Sequence, residues 1–81
     1  MHFFYVYRIQ SSKNPDYHYT GFTENLQQRL DDHTDSKVST TAGRGPWALL
    51  SAHVFTEKSK ALAFEQYLKS GSGREFARRH F

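Results

Sequence analysis

Four of the five tyrosines lie in two short segments near the amino terminus, and their hydroxyl groups are candidates for chemistry. Side chains alternate between faces along a strand, so Tyr5 and Tyr7 would share one face, and Tyr17 and Tyr19 would share one. This pattern is typical of an aromatic ladder across a hairpin, which contributes about 0.2–1 kcal/mol per pair. The same spacing also aligns phenol hydroxyls for chemistry. Spacing alone leaves both interpretations open.

Glu65 is the second candidate, because it lies on the apolar face of a predicted helix. At about 100° per residue, it falls near the middle of the arc that contains Phe64 and Leu68. An unpaired carboxylate on that arc costs several kcal/mol, so something must neutralise it. One interpretation is a salt bridge to Arg29 or Lys69. The other is a divalent cation, Mg²⁺ or Mn²⁺, which keeps several waters beside a single carboxylate.

Arg29 and His33 lie one turn apart on another predicted helix, beside the apolar stripe of Leu26 and Leu30. Both side chains are therefore expected to point toward the body of the protein. They can act at a site there, or they can simply extend over apolar surface. The opposite side of this helix carries three aspartates, Asp31, Asp32 and Asp35. That phase points the carboxylates into water and away from His33, which disfavours a metal cluster.

The net charge of +3 comes from the end of the chain, where the segment 57–81 has six basic and three acidic side chains. A basic end on a small domain indicates a polyanion such as nucleic acid, although a solubilising helical surface has the same composition. The loop 34–46 is long and rich in hydroxyls and glycines, so it either contacts phosphates or serves as a flexible linker. The predicted nucleic-acid contacts are Lys13, Lys37, Thr41, Arg44, Lys69, Arg74 and Arg78.

The elements that would position these side chains follow from alternation, helical periodicity and turn residues. The predicted strands are Phe3–Ile9, Tyr17–Gly21 and Trp47–Phe55, and the first two are joined by the turn Ser11–Asp16. The first predicted helix runs from Glu24 to His33 with Thr23 as the N-cap. The second is capped by Thr56 or Ser59 and runs to Lys69, and the third runs from Arg74 to Phe81 after a break at Ser70–Gly73. This order predicts a single α/β (α+β) domain over residues 1–81, with a three-stranded antiparallel sheet flanked by about three helices.

The composition excludes several classes of protein and site. There is no cysteine, which excludes disulfides and cysteine-based zinc sites. No apolar run approaches the ~20 residues of a membrane span, and Met1 is not followed by a basic and then apolar leader. We therefore expect a soluble, cytoplasmic protein without a membrane partner.

Taken in order, the candidate residues resemble the GIY-YIG nuclease family over nearly the whole chain, and in particular its small single-domain bacterial members. Tyr7 ends the YVY segment that matches the first motif, and Tyr19 begins the YTG segment that matches the second. Arg29 stands eight residues after the glycine of the second motif, which is the spacing of the family's catalytic arginine. His33 and Glu65 match a histidine seen in several branches and the family's metal-binding glutamate.

A few positions depart from the family pattern. The first motif lacks its glycine, and Phe22 stands where the excision-repair branch has a lysine. No asparagine follows Glu65 of the kind found in homing members. The segment Gly43–Trp47 resembles the loop and strand start of the structure-selective, junction-cutting branch.

The resemblance implies hydrolysis of DNA phosphodiester bonds with a divalent metal, Mg²⁺ or Mn²⁺, held by Glu65. It also implies a structure-selective enzyme of DNA repair or recombination. Arg29 would bind the non-bridging oxygens, Tyr7 would take the proton of the attacking water, and Tyr19 would position the water or the phosphate. His33 would orient Tyr7 or relay its proton.

A tyrosine base needs a cationic neighbourhood, because a phenol with an ordinary pKa near 10 is only about one part in a thousand ionised at neutral pH. We expect the metal, Arg29 and Lys13 to provide it. Two other functions are compatible with the residues: a catalytically silent nucleic-acid-binding module and a protein-interaction domain. Because so small a domain has little surface for reading bases, a homodimer or a protein partner is a candidate source of substrate specificity.

Overall fold

The computed structural model describes residues 2–81 and arranges them as an antiparallel sheet with helices on both sides. The elements in chain order are β1 (Phe4–Ser11), β2 (His18–Thr23), α1 (Leu26–Thr34), β3 (Trp47–Phe55), α2 (Lys58–Lys69) and α3 (Gly71–His80). The predicted three-stranded sheet with three helices is therefore confirmed. Within residues 2–81, none of the helices is long and apolar enough to cross a membrane.

The first strand lies in the centre of the sheet and pairs with both neighbours. The strand order is β2-β1-β3, and both pairings are antiparallel. The register places Tyr7 opposite Gly21 on β2 and opposite Ala52 on β3. Tyr7 is thus flanked on both sides by small residues, which leaves room for its ring across the sheet.

The two faces of the sheet are covered by different elements. Val6 on β1 packs into an apolar cluster with Ala61 and Leu68 of α2 and Ala77 of α3. Five phenylalanines surround this cluster: Phe4, Phe22, Phe55, Phe64 and Phe81. Because side chains alternate along a strand, Tyr7 points to the opposite face, where α1 and the loop after it lie. The central strand therefore contributes to the core on one face and to the candidate site on the other.

The first helix begins two residues later than predicted, and its cap is a different residue. Asn25, and not Thr23, is the N-cap, because its side chain accepts a hydrogen bond from the backbone N–H of Gln28 at 3.1 Å. Thr23 is the last residue of β2, and its hydroxyl accepts a hydrogen bond from the N–H of Asn25 at 3.1 Å. The predicted start at Glu24 is therefore wrong, because the chain still turns there.

The last helix begins at Gly71 and not at Arg74, so the predicted break at Ser70–Gly73 is largely helical. Ser70 separates α2 from α3 and caps the latter, since its hydroxyl accepts a hydrogen bond from the N–H of Gly73 at 3.1 Å. A methyl group on Gly73 would overlap the carbonyl of Tyr67, so close packing explains this glycine better than a helix end does. At the start of α2, the cap position is Glu57 and neither Thr56 nor Ser59.

Candidate active site

The centre of the candidate site is a buried hydrogen bond between Tyr7 and His33. The hydroxyl of Tyr7 lies 2.6 Å from Nε2 of His33, although the two residues are 26 positions apart. Tyr7 is fully buried in the middle of β1, and His33 is buried in the last turn of α1. The fold thus joins the first motif to the helical histidine, as the resemblance implies.

The other ring nitrogen of His33 is bonded to Thr41, which belongs to the loop after α1. Nδ1 of His33 and Oγ1 of Thr41 are 2.7 Å apart, and Thr41 is only 1% exposed. The structure therefore corrects the prediction that Thr41 contacts nucleic acid, because its hydroxyl is buried and bonded inside the protein. The loop is held by turns, with the N–H of Thr41 bonded to the carbonyl of Val38 at 3.1 Å, so it is more than a flexible linker.

Tyr19 completes the aromatic cluster, whereas the other two tyrosines of the hairpin do not join it. The ring of Tyr19 lies 4.9 Å from that of His33 and 6.2 Å from that of Tyr7, measured between ring centres. Tyr5 pairs in register with Thr23, and Tyr17 precedes β2. A four-tyrosine ladder therefore does not form. The hydroxyl of the inner tyrosine is engaged with a histidine instead.

Gly21 permits this arrangement. In the sequence, its place in the second motif was the sole indication of a role. It lies directly opposite Tyr7 in the sheet. A methyl group on Gly21 would overlap the hydroxyl oxygen and Cζ of Tyr7, and would lie 2.9 Å from a ring carbon of Tyr19. Only a residue without a side chain lets the Tyr7 ring lie flat over β2 at this point.

Arg29 lies one turn before His33 on α1 and acts on both phenols. Hydrogen bonding to Tyr7 is the largest influence and raises the pKa of Arg29, while burial acts in the opposite direction. Its Nε is buried and has no hydrogen-bond partner within residues 2–81. An unpaired buried donor on a charged group is costly, so an acceptor that reaches this N–H would stabilise the site.

The environment of Tyr7 makes its hydroxyl a weaker acid than an ordinary phenol. Burial is the main cause and raises the pKa of Tyr7 to about 12, although hydrogen bonding from Arg29 lowers it. The charges of Tyr19 and Glu65 add to the increase. Arg29 thus lowers this pKa as expected, but its effect does not outweigh that of burial. Lys13 lies exposed in the turn between β1 and β2 and is not among the groups that act on Tyr7.

His33 is held neutral at physiological pH by the same surroundings. Burial is the largest influence and lowers the pKa of His33, and the positive charge of Arg29 lowers it further. Asp32 acts in the opposite direction but does not outweigh them. A neutral imidazole can accept a proton from the phenol to which it is hydrogen-bonded, whereas a protonated imidazole cannot.

Glu65 lies on α2, and its side chain is only 13% exposed. One carboxylate oxygen, Oε2, lies 3.2 Å from Nζ of Lys69, so the salt bridge considered for this carboxylate is present. Of the two partners considered, Lys69 and not Arg29 forms this salt bridge. The charge of Glu65 also raises the pKa of Tyr7, which places the carboxylate within electrostatic reach of the phenol.

The acidic and histidine side chains do not assemble a multidentate metal cage. In residues 2–81, no group of three or more of them converges on a point. Two of the three helical aspartates are bonded to neighbouring amides, Gln27 to Asp31 and Gln28 to Asp32, each at 3.1 Å. A cation that keeps most of its water fits a lone, largely buried carboxylate such as Glu65, so the donor set suits Mg²⁺ or Mn²⁺ rather than zinc.

A groove of about 490 Å³ lies between β2 and the junction of α2 and α3, and Tyr19 belongs to its lining. Three of the predicted nucleic-acid contacts line it: Lys69, Arg74 and Arg78. Its wall also contains two basic residues that were not predicted, Arg8 and His18, together with Asp16. In the sequence, Arg8 is a charged residue within an otherwise apolar strand, and this could have indicated a functional role. The lining of the groove thus combines basic side chains with one of the two central tyrosines.

The remaining predicted nucleic-acid contacts lie away from this groove. Lys13 and Lys37 are exposed in the turn after β1 and in the loop after α1. The guanidinium of Arg44 lies 4.3 Å from the centre of the Tyr17 ring, in a cation–π contact. These three side chains are exposed to a partner but do not belong to the lining of the groove.

Comparison with known proteins agrees with the geometry. The sequence model described as the GIY-YIG catalytic domain matches residues 3–79. The chain is 36% identical over 69 residues to UPF0213 protein OB0043 of Oceanobacillus iheyensis, which covers 84% of this chain and 76% of that protein. It is 35% identical over 69 residues to UPF0213 protein YazA of Bacillus subtilis, which covers 84% of this chain and 66% of that protein.

A solved structure has the same fold. The solution NMR structure of UPF0213 protein BH0048 from Bacillus halodurans matches 95% of this chain and 83% of that chain, with a TM-score of 0.58 at 29% sequence identity. The family match over residues 3–79 extends from β1 to α3 and includes the tyrosines, the arginine, the histidine and the glutamate described above. The chain therefore belongs to the GIY-YIG family.

Proposed function

We propose that this chain is a divalent-metal-dependent DNA endonuclease that selects its substrate by structure and acts in DNA repair or recombination. Its GIY-YIG domain implies nuclease activity. The observation that carries the proposal for this chain is the buried, unpartnered Nε of Arg29 beside two tyrosine hydroxyls. An oxygen of a DNA phosphate supplies the missing acceptor together with the negative charge.

Arg29 is assigned to the scissile phosphate. A guanidinium presents its N–H donors in a planar fork that matches two phosphate oxygens, and such charge-assisted bonds are stronger than neutral ones. As the phosphorus is attacked, charge accumulates on the non-bridging oxygens, and a fixed cation in a partly buried site stabilises that charge. Tyr7 and Tyr19 both raise the pKa of Arg29, so the guanidinium stays charged beside the phenols.

Tyr7 is assigned the role of taking the proton from the attacking water, and His33 is the final acceptor of a proton. With a pKa of about 12, only about one Tyr7 in 10⁵ is a phenolate at pH 7, so an ionised phenol is not the starting state. The hydroxyl instead gives its own proton to His33 across the 2.6 Å bond as its oxygen takes one from water. Since Tyr7 is fully buried in the free protein, substrate binding must open the water's path to it.

Tyr19 is assigned to positioning, because it combines a place in the groove lining with contact to the inner residues. Its hydroxyl can hold the water or a phosphate oxygen without giving up a proton. Tyr19 is only partly buried, so a substrate reaches it first.

Glu65 would hold the divalent metal. A bound Mg²⁺ or Mn²⁺ supplies a Lewis acid that polarises the phosphate and stabilises the departing 3′ oxygen. The carboxylate is bonded through only one oxygen, to a lysine that is itself 45% exposed. Lys69 already lines the groove, so it can exchange this carboxylate for a phosphate when the metal takes its place at Glu65.

The groove is assigned to the DNA backbone next to the cleaved bond. Lys69, Arg74 and Arg78 contact phosphates, which fixes the position of a strand but does not read its sequence. This favours selection by the shape of the DNA. A homodimer or a protein partner remains a proposed source of further specificity.

The test is incubation of the purified protein with flaps, forks, nicked duplex and linear duplex, with and without Mn²⁺. We expect cleavage of branched substrates that requires Mn²⁺ and is lost in Arg29→Ala. Gln27→Ala on the exposed side of the same helix is the matched control and should cleave as the parent protein does. Salt-sensitive DNA binding without any cleavage would instead identify a catalytically silent binding module.

A further inference from the structure

Thr41 stands apart from the other polar side chains of its loop, because it is buried and bonded on both sides. Its Oγ1 lies 2.7 Å from Nδ1 of His33 and 3.4 Å from the carbonyl oxygen of Val38. The neighbouring Thr40 is exposed. The Thr41 hydroxyl has one hydrogen, so it can donate to only one of these two atoms at a time.

The direction follows from counting donors and acceptors. Within residues 2–81, Nε2 of His33 is the hydrogen-bond partner of the buried Tyr7 hydroxyl, so Tyr7 donates its hydrogen to this nitrogen. Nδ1 then carries the imidazole hydrogen and donates it to Oγ1 of Thr41, whose own hydrogen points toward the carbonyl of Val38 at 3.4 Å. In a neutral imidazole only one nitrogen carries hydrogen, so Nε2 has a free lone pair. That lone pair faces the hydroxyl of Tyr7.

We propose that Thr41 is a positioning residue that holds His33 in the tautomer with hydrogen on Nδ1, so that Nε2 is the acceptor of the Tyr7 proton. This role rests on the proposed nuclease function. Thr41 is only 1% exposed, so it acts through His33. Without its hydroxyl, the imidazole is free to place hydrogen on Nε2, and the bond to Tyr7 then runs in the wrong direction for proton transfer.

The proton balance of the proposed step is complete. A bond forms between the water oxygen and phosphorus, and the bond from phosphorus to the 3′ oxygen breaks. One water proton passes to the oxygen of Tyr7, and the Tyr7 proton passes to Nε2 of His33. His33 then carries hydrogen on both nitrogens and keeps its bond to Thr41. The 3′ oxygen takes a proton from solvent, and His33 returns its extra proton to solvent when the product leaves.

The surroundings of His33 favour the neutral starting state. Tyr7 and Tyr19 face it from the sheet, and Trp47 lies at 6.3 Å between ring centres. The charged groups that act on it are Arg29 and Asp32 of its own helix. Among residues 2–81, no carboxylate is hydrogen-bonded to either ring nitrogen, so the Thr41 hydroxyl is the group that distinguishes Nδ1 from Nε2.

The test compares Thr41→Val, which removes the hydroxyl at nearly constant shape, with Thr41→Ser, which keeps it, and uses exposed Thr40→Val as the control. The ¹⁵N resonances of the His33 ring report the tautomer directly. We expect hydrogen on Nδ1 in the parent protein, in Thr41→Ser and in Thr40→Val, and a mixture of tautomers in Thr41→Val. Cleavage of a branched substrate should fall by about 10- to 100-fold in kcat for Thr41→Val with little change in KM, and Thr41→Ser should restore it.

Three results separate the outcomes. Hydrogen on Nε2 in the parent protein overturns the proposal without any variant, so it remains testable if Thr41→Val does not fold. A Thr41→Val protein with the parental tautomer and kcat also overturns it. If the parent protein cleaves no DNA, the proposed nuclease function fails, and the ring resonances alone decide the role of Thr41.

Discussion

Replacement of Gly21 by alanine tests how the candidate site is built. The new methyl group would overlap the hydroxyl and Cζ of Tyr7 and would press on the ring of Tyr19. Tyr7 has no exposed surface, so its ring has no free space into which it can move. Overpacking of this kind costs about 1–3 kcal/mol. For a domain of this size, that corresponds to a fall in melting temperature of about 4–24 °C.

The same substitution should affect catalysis beyond its effect on stability. Any shift of the Tyr7 ring lengthens the 2.6 Å bond to His33, and a misplacement of about 1 Å can reduce a rate by about 100-fold. The assays are thermal unfolding followed by circular dichroism, and single-turnover cleavage of a flap substrate at a temperature where both proteins are folded. DNA affinity, measured by fluorescence anisotropy, should change little because the basic groove residues Lys69, Arg74 and Arg78 are untouched.

Gly71 provides the matched control, because nothing lies within 4 Å of a methyl group placed there. Gly71→Ala at the start of α3 should be neutral or slightly stabilising, since alanine is the better helix former. A Gly21→Ala protein with the melting temperature and cleavage rate of Gly71→Ala would refute the close-packing argument. It would show that the second motif's glycine is not needed to position Tyr7.

Three further predictions concern the proton path and the carboxylate. Tyr7→Phe should reduce cleavage, measured by single-turnover kinetics, by about 10²–10⁴-fold with unchanged DNA affinity. It should also lower the free energy of unfolding, measured with urea, by about 1–3 kcal/mol because Nε2 of His33 loses its partner. Glu65→Gln should abolish Mn²⁺-dependent cleavage in a Mn²⁺ titration, yet change stability by no more than about 1 kcal/mol, because its partner Lys69 is half exposed. The pKa of His33 is lowered by burial and then by Arg29, so the stability that its neutral form contributes is complete above its ordinary value near 6.5 and is lost as pH falls below it. Cleavage should lose activity over the same acid range, measured as kcat/KM against pH.

Each of these has a result that contradicts it. Equal loss of cleavage and DNA binding in Tyr7→Phe would remove its assignment to proton transfer. A Glu65→Gln protein that melts far below the parent in the absence of metal would make the carboxylate a structural ion-pair partner. An activity that persists at a pH where the ¹⁵N resonances show His33 to be protonated would exclude His33 as the proton acceptor.

The elements that depend on local pattern could be predicted from the sequence. Strand β3 has its predicted bounds, and Arg29 and His33 point toward the sheet, because both follow from periodicity within one segment. The start of α3 could not be predicted, because it depends on the contact between Gly73 and the Tyr67 carbonyl. In the same way, Thr41 resembles any polar loop residue until the loop folds back onto the histidine.

Two structural constraints, strand pairing and a loop, position the side chains of the candidate site, and the loop is the weaker one. Tyr7 is fixed by strand pairing on both sides, and a sheet holds its side chains to a small range of positions. Thr41 is fixed by a loop whose own support is a few turn hydrogen bonds and the buried side chain of Val38. Loops open more readily than paired strands, so the orientation of His33 is the weaker of the two constraints. Variation within the loop 35–46 should therefore change the rate of proton transfer while the motif residues and the sheet stay in place.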